Sequence, residues 1–136
     1  MIAGVAPDVE LGVYRVFGCE GESPSDAIIR AMRRAHEDGM DIINLSLGID
    51  AGFSDSSEAA VVNELSKEGV LFTIAVGNSG EDGIWLSANP SSAIYGSAIS
   101  SFDNSHGIRR TLSLEGSERA FTFGMLSHSL FLRLIW

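Results

Sequence analysis

Val70 to Gly80, VLFTIAVGNSG, is a run of apolar and β-branched residues that stops abruptly in Gly-Asn-Ser-Gly. Bounded by Gly69 and Gly77, it predicts a buried strand over Val70 to Val76 with a tight polar turn behind it. Upstream, Glu58 to Glu68 repeats apolar residues at helical spacing, with Val61, Val62 and Leu65 facing inward and Gly69 as the stop. Before the Gly/Ser/Asp-rich loop Gly48 to Ser57 lies DIINLSL, Asp41 to Leu47. Its near-continuous apolar start predicts a second strand, covered on both faces. Ser23-Pro24-Ser25-Asp26 opens another helix, with Ser23 as cap and Pro24 in the first helical position, and Gly39 closes it. Leu11 to Phe17, LGVYRVF, predicts a first strand, and Gly96 to Phe102 a fourth.

Strands alternating with helices over short connections imply an α/β fold, a partial parallel β-sheet with flanking helices. Functional groups in such sheets gather at the carboxyl ends of the strands. Here those ends are Ser46-Leu47-Gly48 and Gly77-Asn78-Ser79, both polar and glycine-rich after a buried strand. An Asn side chain in a tight turn is a neutral NH2 donor aimed at one spot. From the residues alone, the simpler reading of Asn78 is the filler of a left-handed turn position, which Asn favours.

Composition narrows the classes. With 136 residues, 45% hydrophobic and 20% charged, the chain fits one folded domain of modest size. A net charge of −9 argues against nucleic-acid binding, which needs a basic face. Cys19 has no partner for an internal disulfide or a CxxC motif. The start MIAGVAPDVELGVY lacks the pattern of a secretion signal, and no run approaches the roughly 20 apolar residues of a membrane helix. No membrane partner, cofactor or metal is expected, because no EF-hand or HExxH spacing occurs. Gly77-Asn78-Ser79-Gly80 lacks the GxGxxG pattern and the lysine of a nucleotide-binding loop.

Three segments in order carry a resemblance. GVAPDVELGVYRVF (Gly4 to Phe17), MDIINLSLG (Met40 to Gly48) and VLFTIAVGNSG (Val70 to Gly80) resemble successive strands of subtilisin-like serine proteases, the subtilases or peptidase family S8. Each alone is unspecific; their joint order and spacing identify an internal fragment over about residues 3 to 104. GCEG and SSAIYGSAISSFDN are similar to the large secreted subtilases with an inserted protease-associated domain. The resemblance implies a truncated three-layer αβα fold. Residues 1–104 would be a partial catalytic domain, 105–123 a lead-in to an inserted domain, and 124–136 an atypical apolar tail. It implies that Asn78 is the oxyanion-hole donor. Ser46, Leu47 and Gly48 become the substrate-binding strand, and Ala75, Val76 and Gly77 the other wall of the specificity pocket. The partner would be a polypeptide substrate, and the location of the intact protein extracellular.

The family's D-[ST]-G, H-G-T-H and G-T-S-M segments are absent from the sequence. In family order the first two precede GVAP and the third follows much later. His36 sits among Arg and Glu in a helix, Ile108-Arg109 follow His106-Gly107 where H-G-T-H needs Thr-His, and His128 lies in the tail. The activated serine and its base are therefore missing. The expectation is a fragment of a subtilisin-like endopeptidase, inactive alone. The alternatives are a non-catalytic peptide-binding module, or a truncated gene product with no activity of its own.

Overall fold

The computed structural model describes residues 4–102, and the backbone of 110–113 and 120–123. The chain divides into two compact units, Met1–Ser100 and Ser101–Trp136. In the first, the elements are α1 (Ser25–Glu37), β1 (Ile42–Leu45), β2 (Ile49–Asp50), α2 (Ser57–Lys67), β3 (Leu71–Ala75), β4 (Ala88–Asn89) and β5 (Ser97–Ile99). In the second, β6 (Arg110–Ser113) pairs antiparallel with β7 (Ala120–Phe123). The rest of the expected lead-in 105–123 and the tail 124–136 lie outside the described residues.

The architecture is α/β. A parallel sheet in the order β1-β3-β5 aligns Ile42 with Leu71 and Leu45 with Ile74. Ile43 and Leu45 of β1 and Phe72 and Ile74 of β3 alternate inward. They share one core with Met32 and Ala35 of α1 and with Ala59, Val61, Val62 and Leu65 of α2. Both helices thus cover the same face of the sheet. Of the three expected layers, the described residues supply two, sheet and helices. The near-continuous apolar run of β1 is consequently not buried on both sides: Ile42 is 60% exposed and its neighbour Leu71 is 49% exposed.

The helices end alike. Met40 N–H bonds Ala35 C=O and Gly39 N–H bonds His36 C=O; Val70 and Gly69 repeat the pattern on Leu65 and Ser66. This Schellman arrangement satisfies the last carbonyls and turns the chain straight into a strand. The starts differ. Ser56 Oγ accepts from Ala59 N–H at 3.1 Å and caps α2. α1 begins one residue later than the sequence suggests, with Pro24 in the cap position, so Ser23 is one place too early to serve, and its Oγ is buried without a partner. Between the helices, Arg33 grips Glu64 through two bonds of 3.0 and 2.8 Å, holding that carboxyl below the usual carboxylate range. His36 Nε2 meets Glu68 at 2.8 Å.

The expected strand Leu11 to Phe17 does not form; no described residue before Ser25 belongs to a helix or strand. Leu11 and Val13 are 80% and 82% exposed, and Gly12 has no side chain to pack. Only Tyr14 packs against the core, and its hydroxyl donates to Asp38 at 2.8 Å. Side-chain tethers replace ladder bonds, and a cavity of about 790 Å³ separates the segment from α1 and the unpaired edge of β1.

Phe72 is fully buried while its neighbour Leu71 is half-exposed. Phe72→Ala is expected to cost about 3–5 kcal/mol, and Leu71→Ala about 1 kcal/mol or less, read as the shift in a urea unfolding curve. Equal costs would contradict the one-sided core.

Candidate functional site

Because β1 and β3 are parallel neighbours in register, their carboxyl ends emerge side by side. The first continues as Ser46-Leu47-Gly48 and the second as Val76-Gly77-Asn78-Ser79. Opposite them, β2 pairs antiparallel with β4, aligning Ile49 with Asn89 and Asp50 with Ala88. Ala88 N–H bonds Val76 C=O at 2.8 Å, which seats β4 against the end of β3. The three segments enclose a pocket of about 330 Å³ lined by Ser46, Leu47, Gly48, Asp50, Ala75, Gly77, Asn78, Ser79 and Ala88.

Six of the residues singled out from sequence therefore line one cavity: Ser46, Leu47, Gly48, Ala75, Gly77 and Asn78. Val76 is placed differently. It does not line the pocket; its N–H bonds Ile99 C=O at 3.1 Å and its carbonyl takes the bond from Ala88, so it holds the wall through its backbone.

Two glycines make the enclosure possible. A β-carbon on Gly48 would stand 2.6 Å from Asn89 O and 2.9 Å from Ala88 Cβ. Gly77 has φ +92°, in the left-handed region, and its β-carbon would stand 3.0 Å from Ala88 Cβ. Any larger residue at Gly48 would push the β4 wall outward.

Polar side chains that sequence reasoning missed complete the site. Thr73 Oγ donates to Asn44 Oδ1 at 3.0 Å, and Asn44 Nδ2 donates to Ser46 Oγ at 2.9 Å. Thr73 and Asn44 are register partners on β3 and β1, so the cross-strand pair fixes the Asn44 amide and, through it, the Ser46 hydroxyl. The available signal was the polar interruption of two apolar runs, Asn in IINL and Thr in LFTIA. Ser79 Oγ donates to Asp50 Oδ2 at 2.5 Å, tying the polar turn after β3 to β2. Asn78 is exposed at the pocket, and among the described residues no hydrogen bond occupies its side-chain amide. His36 lies elsewhere, engaged with Glu68. His106 and His128 lie outside the described residues.

The model of peptidase S8, the subtilase family, matches residues 1–123. The minor extracellular protease Vpr of Bacillus subtilis (strain 168) is 38% identical over 89 residues, 65% of this chain and 11% of that protein. The alkaline elastase YaB of Bacillus sp. (strain YaB) is 34% identical over 116 residues, 85% of this chain and 29% of that protein. Subtilisin DY of Bacillus licheniformis is 34% identical over 82 residues, 60% of this chain and 29% of that protein. The chain thus spans less than a third of the length of these relatives.

The β-carbon added by Gly48→Ala meets backbone, which cannot swing aside, whereas Gly80 has open space around it. Gly48→Ala is expected to destabilise by about 1–3 kcal/mol and to speed hydrogen exchange at the Ala88 amide. Gly80→Ala should stay within about 0.5 kcal/mol. A silent Gly48→Ala would show that the pocket wall is not packed on this glycine.

Proposed function

The chain belongs to the subtilase family, and on that premise we propose that it carries the substrate-binding strand and the oxyanion-hole asparagine of a subtilisin-like serine endopeptidase. The supporting observation is the shared pocket that joins Ser46-Leu47-Gly48 to Gly77-Asn78. An extended polypeptide pairs with the backbone of Ser46 to Gly48, as an added strand does at a sheet edge. One side chain of that polypeptide enters the pocket between Gly48 and Ala75-Gly77. Its scissile carbonyl then lies near Asn78, whose amide donates to the oxyanion of the tetrahedral intermediate. A donor of this kind is worth about 10²–10³ in kcat, a magnitude established on the oxyanion-hole asparagine of a subtilisin itself. In the intact protein the substrate is a polypeptide and the setting is extracellular, as the name of Vpr states for that relative.

The chain alone is inactive in this reading. Its sequence holds no D-[ST]-G, H-G-T-H or G-T-S-M segment to supply the aspartate, histidine and serine.

The test has two parts. The purified chain should neither label with a serine-directed fluorophosphonate nor hydrolyse a peptide substrate, and either reaction would end the inactive reading. In an NMR titration with an unlabelled extended peptide, amide shifts should concentrate at Ser46 to Gly48 and at Gly77 and Asn78. Shifts confined to other surfaces, or none, would refute the proposed substrate site.

A further inference from the structure

Asp50 has no role in the chemistry above, yet it is the one charged residue among those lining the pocket. We propose that Asp50 makes this pocket select a cationic substrate side chain, lysine or arginine; the inference rests on the substrate-binding reading of the same pocket.

The carboxylate is aimed and held. Oδ2 accepts from Ser79 Oγ at 2.5 Å, which restricts rotation about the carboxyl plane. Oδ1 lies 3.1 Å from where a β-carbon on Gly77 would stand, so it sits over the glycine in the pocket wall. Only the missing side chain of Gly77 leaves that space open. The ion pairs formed among the described residues use Asp26, Glu64, Asp38 and Glu68, and none uses Asp50. A carboxylate with one oxygen engaged by a hydroxyl and no cation of its own has an acceptor left for a guest ammonium or guanidinium.

The remaining lining suits a long, thin side chain. Gly48, Ala75, Gly77 and Ala88 contribute almost no bulk, and Leu47 offers apolar contact. The methylene stem of lysine or arginine packs on such a surface while its head stays at the charge. A glutamate in the same place would meet like charge and be rejected. Asp50 is exposed, so the selectivity is modest and falls with salt.

The experiment uses fluorescein-labelled extended peptides identical except at one position, occupied by lysine, arginine, norleucine or glutamate. Binding to the whole chain is followed by fluorescence anisotropy at low and high salt. Lysine and arginine peptides are expected to bind roughly two- to fivefold more tightly than norleucine, with glutamate weakest and the spread narrowing at high salt. Asp50→Asn should bring lysine and norleucine together. Glu37→Gln, an equal charge change at the end of α1, should leave the preference intact and so removes net charge as the cause. Norleucine binding as well as lysine, or an unchanged preference in Asp50→Asn, overturns this proposal while leaving peptide binding itself standing. Failure of every peptide to bind overturns the substrate-site reading, and this proposal with it. If Asp50→Asn does not fold, judged by circular dichroism, the salt dependence of the lysine-to-norleucine ratio in the unaltered chain decides: a salt-independent ratio overturns the proposal.

Discussion

The parallel pairing of β1 with β3 is the constraint on which everything else rests. Four residue pairs, Ile42 with Leu71 through Leu45 with Ile74, fix both register and direction. Direction matters because two parallel strands end at the same edge, so the turns that follow them must be neighbours. Register matters because a slip of one residue would turn Phe72 and Ile74 out of the core and Leu71 and Thr73 into it. The pocket exists because burial of those side chains against α1 and α2 leaves the sheet a single acceptable alignment. The chemistry-bearing groups are thus placed by hydrophobic packing between sheet and helices.

Much of this was legible because it follows from local rules. Glycines after helical runs at Gly39 and Gly69 mark real helix ends, since a left-handed residue is the simplest way to satisfy the last carbonyls and reverse the chain. The apolar run Val70 to Val76 marks the central strand, and alternation of helix and strand implies parallel pairing. Once that is granted, Ser46-Leu47-Gly48 and Gly77-Asn78 must share an edge. The family resemblance adds roles to residues that topology had already brought together.

What was not legible depends on contacts distant in sequence. The pairing of Ile49-Asp50 with Ala88-Asn89 joins the start of the Gly48 to Ser57 stretch, which reads as a loop, to a two-residue segment with no periodicity to announce it. The Ser79 to Asp50 bond is a consequence of that pairing and could not be found without it. LGVYRVF fails in the opposite sense. Its composition favours a strand, but a strand exists only with a ladder partner. The segment is held instead by Tyr14 on Asp38, whose carboxyl is kept below the usual range first by Arg34 and then by the tyrosine hydroxyl.

The two sides of the pocket are built to different standards. One side is the end of a sheet whose strands are locked by a shared core. The other, β4, is joined to β2 by two residue pairs, with backbone bonds from Ala51 and Gly52 to Ser87 beside it and one from Ala88 to Val76. Local opening free energy scales with such buried contacts and ladder bonds. The sheet side therefore holds the positions of Ser46 and Asn78 through a shared core, while the β4 side is held by a short ladder and by the burial of Ala88 and Asn89. A residue larger than glycine at position 48 would therefore displace the β4 wall while the ends of β1 and β3 stayed in register.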